Sequence, residues 1–300
     1  MNPFGLKSKK HLKGLVFAGC SYTWGQGLHY YNQSPTILKP LNENSFDPSL
    51  LNATHVEYIK LYRYSTKVAR FFDTYCINQP FNGGANITSL AWWGKSFLNQ
   101  EDSFFGYING SSYCIDPRDI EYFSLQITQW LRSVVTDQDT IDYFQTQGID
   151  LKDITYYILF ESYQDKLEEY LNLSGQSLDQ WIDKAKTNDI NQLKDMLELI
   201  EQQGVKTIVL IWPNDLVETV LKDSWLSARL VNLSYRTKTY HCIQDLADNE
   251  VGMYIANDYE NFKKPPKDHH PSMKCHDVIS ESIIKHIQKD KNEHSTNDTL

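Results

Sequence analysis

Two short segments near opposite ends of the chain carry the residues best suited to nucleophilic chemistry. The first, Gly19-Cys20-Ser21-Tyr22-Thr23-Trp24-Gly25-Gln26-Gly27, sets a serine among small and turn-forming residues. The second, Asp268-His269-His270-Pro271-Ser272, joins a carboxylate and two imidazoles within one turn. A serine hydroxyl becomes a strong nucleophile when an imidazole takes its proton, and the imidazole needs a carboxylate on its other nitrogen. Ser21, His270 and Asp268 supply those three groups. Each segment also has a plainer reading. A serine in this place suits a helix N-cap, and a His-rich turn is often only solvated surface. His269, His270 and His276 offer imidazoles to a zinc ion, but no H-E-x-x-H spacing frames them, so no metal is expected.

The elements around these segments follow an α/β rhythm. Gly14 to Cys20 is a short apolar run that suits a buried parallel strand ending at the serine turn. Open α/β sheets place their sites just beyond the carboxyl ends of such strands. Val56 to Phe72 repeats apolar residues at helical spacing, and Tyr75 to Asn78 reads as a short strand leading into Asn82-Gly83-Gly84. Glu121 to Thr128 reads as a strand. Residues 139–186 form a helical, aromatic insertion. Asn191 to Gln203 is an amphipathic helix stopped by Gly204, and Val205 to Trp212 is a buried strand closed by Pro213. A last helix is expected from Val278 to Gln288. Residues 33–52, punctuated by Pro35, Pro40 and Pro48, read as a loop excursion, and residues 289–300 lack an apolar period and should fray. All 300 residues are read as a single domain.

The two chemical segments, in this order, resemble the SGNH (GDSL-like) hydrolase family. The resemblance spans about Lys13 to Lys289. It implies a flavodoxin-like, three-layer α/β/α sandwich with a parallel five-stranded sheet, here carrying the helical insertion. In that family the nucleophile lies in a GDS-type block after the first strand, where this chain has Phe17-Ala18-Gly19-Cys20-Ser21 with Cys20 in place of Asp. The form GCSxTWGQG is similar to a branch with phage-encoded and bacterial members. The family's closing block carries Asp and the base His just before Pro, matching Asp268 and His270-Pro271, although the usual D-x-x-H is here D-x-H. Asn82-Gly83-Gly84-Ala85-Asn86 resembles the second block, which implies that Gly83, or else Gly84, gives an N–H to the oxyanion hole beside that of Ser21. The third block, normally G-x-N-D, is missing. Thr128 or Gln129, in the expected chain order, and Asn214, in Ile211-Trp212-Pro213-Asn214-Asp215, compete to replace its donor, with Thr128 preferred by position. The resemblance implies a serine esterase that removes acyl groups, acetyl foremost, from a carbohydrate or other small-molecule ester without a cofactor. An acyltransferase using the same serine, or a binding module that has lost turnover, are the alternatives.

Composition narrows the partners. A net charge of −9 argues against phosphate-backbone binding, so no nucleic acid partner is expected. No run approaches the ~18 apolar residues of a membrane span. The apolar stretch Leu15 to Ala18, although it follows a basic segment and precedes Cys20, falls short of the ~7–15 residues of a signal core. The expected location is therefore cytoplasmic, or virion-associated if the chain is phage-encoded. Five cysteines without metal or CxxC spacing fit reduced thiols. Cys20 reads as an exposed neighbour of Ser21 with nothing to lower its pKa. Trp93-Gly94-Lys95-Ser96 looks like the end of a P-loop, but Ser89 stands where its first glycine is required.

Overall fold

The computed structural model describes residues 12–32, 51–80, 106–108, 111–113, 117–212, 216–234, 240, 242–249, 253–262 and 268–297. Its strands are β1 (Gly14–Gly19), β2 (Cys76–Pro80), β3 (Gly106–Ile108), β4 (Ser111–Tyr113), β5 (Ile120–Ile127) and β6 (Lys206–Ile211). Its helices are α1 (Ser21–Trp24), α2 (Ala53–Tyr62), α3 (Tyr64–Phe71), α4 (Gln138–Thr146), α5 (Tyr156–Ser162), α6 (Gln164–Ser174), α7 (Leu178–Gln202), α8 (Val217–Lys222), α9 (Ser224–Arg229), α10 (Ile243–Asn249) and α11 (Met273–Asn297).

The architecture is α/β, built on a parallel sheet of order β2-β1-β5-β6. Every residue of β1 is buried, and β5 and β6 are buried nearly throughout. Their continuous apolar character is what strands covered on both faces require. α3 packs on β1 and β2 and against α11, while α7 and α9 pack on β6. β3 and β4 form a small antiparallel hairpin apart from this sheet.

The chain steps from β1 outward to β2 and then returns to β5 on the other side of β1. Strand order therefore reverses between β1 and β5, and the crevice beyond their carboxyl ends is where such sheets hold ligands. Ser21 follows β1 directly into that place.

Five strands were expected, and among the described residues the parallel sheet has four. At the outer edge of β6 the chain makes a bridge between Val209 and Leu230, with Val231 N–H donating to Val209 O at 3.1 Å. It then turns at Asn232, whose side-chain oxygen accepts from Ser234 N–H at 2.7 Å. An Asx turn diverts the backbone N–H groups that a longer ladder would need.

Several helical boundaries also differ from the sequence pattern, the last helix among them, which starts at Met273 rather than Val278. The helix expected over Val56 to Phe72 is broken at Arg63, whose ψ of 150° is extended. The break releases Tyr64 N–H to donate to the buried His276 Nδ1 at 3.2 Å, a tertiary bond invisible to local periodicity. The helix expected from Asn191 begins instead at Leu178, so the insertion runs past residue 186 into a continuous 25-residue helix. Buried Trp130, Tyr156 and Trp181 hold that block together, with Trp130 and Tyr156 stacked at 4.3 Å. Asp189 of α7 accepts from Trp130 Nε1 at 2.9 Å and Thr136 Oγ1 at 2.6 Å, yet burial still pushes its carboxyl up to about 6.

The end of the chain was expected to fray from residue 289, but α11 stays helical to Asn297. Charge replaces the missing apolar period: Asp290 accepts from Tyr122 and Lys206, each at 2.5 Å, and Lys291 pairs with Glu121 at 3.2 Å. Among the described residues no helix is long and apolar enough to cross a membrane. None of Cys20, Cys76, Cys242 and Cys275 takes part in a disulfide.

Candidate active site

Gly19 ends β1, and Cys20 caps a single helical turn from an extended backbone. Gly25, at φ +91°, closes that turn, and Gly25 N–H and Gln26 N–H both donate to Ser21 O, at 3.0 and 2.9 Å. Ser21 is thus the first residue of a tight turn, where a helix leaves its N–H without an intrahelical partner. Gly19 is required by crowding, since a Cβ there would overlap Thr23 Oγ1 and stand 2.7 Å from Gln126 Oε1.

His270 arrives from the far end of the chain, 249 residues away, with Nε2 3.1 Å from Ser21 Oγ. Its Nδ1 lies 2.5 Å from Asp268 Oδ1. A carboxylate beside Nδ1 places the ring proton there, so the Nε2 lone pair faces the serine hydroxyl. Asp268 Oδ1 also accepts from the His270 backbone N–H at 3.1 Å. This Asx turn explains how the shortened D-x-H spacing still brings carboxylate and imidazole together. Burial pushes the Asp268 carboxyl up, but hydrogen bonds from the His270 ring and backbone, with its charge, outweigh this and hold it below the usual range.

The loop that bears His270 has its own frame. Ile255 N–H donates to His270 O at 3.2 Å, Ala256 N–H to Asp268 O at 3.1 Å and Ser272 N–H to Met253 O at 2.5 Å. On another side stands the 3-10 turn Leu28–Tyr31. Burial pushes the His29 imidazole down to about 4, with the charge of Asp268 acting in the opposite sense. Burial, then the charge and hydrogen bond of Asp268, raise the Tyr30 hydroxyl to about 12. Tyr31 donates to Asp258 Oδ2 at 2.6 Å and accepts from Met273 N–H at 3.2 Å, tying this turn to the start of α11.

A buried polar network lies beneath the serine. Gln126 of β5 donates from Nε2 to Cys20 Sγ at 3.2 Å and accepts from Thr23 Oγ1 at 2.5 Å. Asn78 of β2 donates to Thr23 O at 3.0 Å. Cys20 is buried rather than exposed, and burial pushes its thiol up. That corrects the reading of Cys20 as an exposed neighbour and leaves it poorly suited to act as a thiolate.

The remaining sequence candidates fall in different places. Thr128 follows the last residue of β5 and is buried, whereas Gln129 is exposed and begins the 3-10 turn Trp130–Arg132. Gly83, Gly84 and Asn214 lie outside the described residues, as does most of the excursion over 33–52. His269 is exposed beside the Tyr254 ring, and His276 is buried against the Tyr64 ring, pushed well below its usual range by burial. The three histidines therefore serve separate surroundings, and among the described residues no group of His, Cys, Asp and Glu is gathered as a metal site.

Sequence reasoning passed over Tyr22, Thr23, Asn78, Gln126, His29, Tyr30 and Tyr31. Tyr22, Thr23 and the 29–31 run adjoin the serine motif, so proximity along the chain was a usable signal. Gln126 and Asn78 carried no such signal, because only strand pairing brings them under the turn. No family model, curated protein or solved structure matches the chain. The chemical reading of the site therefore rests on its geometry: a hydroxyl, a facing imidazole nitrogen and a half-buried carboxylate on the other ring nitrogen.

Proposed function

We propose that the chain is a serine esterase of the SGNH type, hydrolysing acyl esters, acetyl foremost, of a carbohydrate or small-molecule substrate. The observation that carries this reading is the Ser21 Oγ–His270 Nε2 contact at 3.1 Å continued by His270 Nδ1–Asp268 Oδ1 at 2.5 Å. Ser21 Oγ attacks the ester carbonyl while His270 Nε2 takes its proton, and Asp268 holds the ring and stabilises the imidazolium. The oxyanion is held by the N–H of Ser21, the N–H of Gly83 or Gly84, and a third donor for which Thr128 is preferred over Gln129 and Asn214. His270 then returns its proton to the leaving alcohol. It next activates a water molecule, whose attack releases the acid and restores Ser21. The strand order and the place of Ser21 beyond β1 support the three-layer sandwich that the resemblance implies.

The test is turnover of p-nitrophenyl acetate by wild type, Ser21→Ala and His270→Ala, paired with fluorophosphonate labelling. Loss of labelling in Ser21→Ala and a drop of at least ~100-fold in His270→Ala are expected, since general base catalysis contributes ~10²–10⁴-fold. A folded wild type that neither turns over nor labels would sink the esterase and leave the fold as a binding module. Acyl transfer to an added alcohol in preference to water would make the same serine that of a transferase.

A further inference from the structure

The loop that bears the base is anchored along one edge by backbone bonds, and its opposite edge meets the nucleophile turn through a side chain. Asp268 O and His270 O both accept from the 255–256 backbone. The carbonyl between them has a different partner. That carbonyl, His269 O, accepts a hydrogen bond from Tyr22 Oη at 2.9 Å. Tyr22 is the residue next to Ser21 in sequence, and its ring is buried against two others. It meets the His270 ring edge-on at 5.1 Å and the Trp212 ring at 4.4 Å. Burial raises its hydroxyl well above the usual phenol range, so it remains a donor at any working pH.

We propose that Tyr22 is a positioning residue for His270: it ties the nucleophile turn to the base loop and sets the Ser21–His270 distance. The inference rests on the esterase reading for its kinetic consequence, but the strap itself is a geometric statement about His270. Ser21 and Tyr22 share one rigid helical turn. Holding His269 O from Tyr22 thereby fixes the imidazole relative to Ser21 Oγ with only two side chains between them. Trp212, at the end of β6, backs the Tyr22 ring and keeps the phenol from swinging away. The Tyr22 hydroxyl is engaged by His269 O, so it acts through the loop that bears His270 and not on the substrate.

The decisive variant is Tyr22→Phe, which keeps the ring and its packing and removes only the hydroxyl. Expected is a fall in kcat of about fivefold to tenfold on p-nitrophenyl acetate, the scale of one hydrogen bond, with KM within twofold and the melting temperature nearly unchanged. A second readout does not need activity: nitrogen-15 histidine NMR, with His270 assigned by comparison with His270→Ala. The His270 ring signals should shift or broaden in Tyr22→Phe while those of the other histidines stay in place. Unchanged His270 signals overturn the proposal. So does a variant whose kcat and melting temperature fall together, because that is the behaviour of an ordinary packing residue. A wild type that does not label with fluorophosphonate defeats the esterase reading instead, and the NMR comparison still decides whether Tyr22 holds His270.

Discussion

Thr23 Oγ1 donates to Gln126 Oε1 at 2.5 Å in a place that neither side chain shares with solvent. The same hydroxyl lies 2.8 Å from Tyr64 Oη, so α1, β5 and α3 meet at one oxygen two residues from Ser21. Removing either member leaves a buried polar group without its partner, at a cost of about 1–3 kcal/mol. Thr23→Val and Gln126→Leu should each destabilise by that amount, and the double variant by clearly less than their sum. Urea unfolding of the four proteins measures the coupling, for which 0.5–3 kcal/mol is the range for residues in contact. Additive losses would mean that the two side chains act independently.

Gly27 is the second point of close approach. It holds φ +95°, and a Cβ there would overlap Ile255 Cδ1 and stand 3.1 Å from His270 Cβ. Gly27→Ala therefore combines backbone strain of order 1–3 kcal/mol with pressure on His270 itself. The variant should lose stability by roughly 2 kcal/mol and lose more turnover than Tyr22→Phe. Adding Ile255→Val removes the overlapping methyl and should restore only part of the stability, because the backbone conformation is untouched. Full restoration in the double variant would show that crowding and not φ decides the site.

The buried His29 gives the protein a pH dependence of definite sign. Its folded pKa is about 4, below the ordinary 6.5, because burial disfavours the imidazolium. The unfolded chain then binds the extra proton, so this contribution is complete above pH 6.5 and is lost as pH falls toward 4. At ~1.4 kcal/mol per unit the loss amounts to about 3 kcal/mol. Asp189, raised to about 6 by burial, works in the opposite sense, its folded form gaining the proton between about 4 and 6. Asp268 is held low, so its contribution is present above the ordinary carboxylate range and is lost only as pH falls below it, beneath the His29 window. Comparing denaturant midpoints of wild type and His29→Gln from pH 7.5 to 4.5 isolates the histidine. The wild type should lose its advantage steadily on acidification, and parallel curves would refute the assignment.

Much of this protein is written locally. The apolar runs at Leu15–Ala18 and Lys206–Ile211 stand as buried parallel strands because such strands need no alternation and end at glycine or proline. The serine turn followed from small residues placed after a strand, whereas His270 was singled out from its neighbours by the family resemblance, which implies a histidine just before proline. Their pairing across 249 residues was an inference from chemistry, since hydroxyl, imidazole and carboxylate are useful only together.

What tertiary structure decided is whatever depends on partners distant in sequence. The break at Arg63 exists because Tyr64 N–H finds His276, and no periodicity in residues 53–71 encodes that. The helical end of α11 depends on Tyr122, Lys206 and Glu121 meeting its charges, although its own composition reads as frayed. Cys20 became buried because strand register brings Gln126 beneath it. Asp268 reaches His270 Nδ1 from one turn, as the two-residue spacing allowed, but the bond from the His270 backbone N–H that fixes that turn is visible only in the structure. Local sequence sets the strands, turns and reactive groups through short-range sterics and hydrophobic pattern. The assembled sheet alone sets the distances, because a hydrogen bond between residues a hundred or more positions apart leaves no period in either segment.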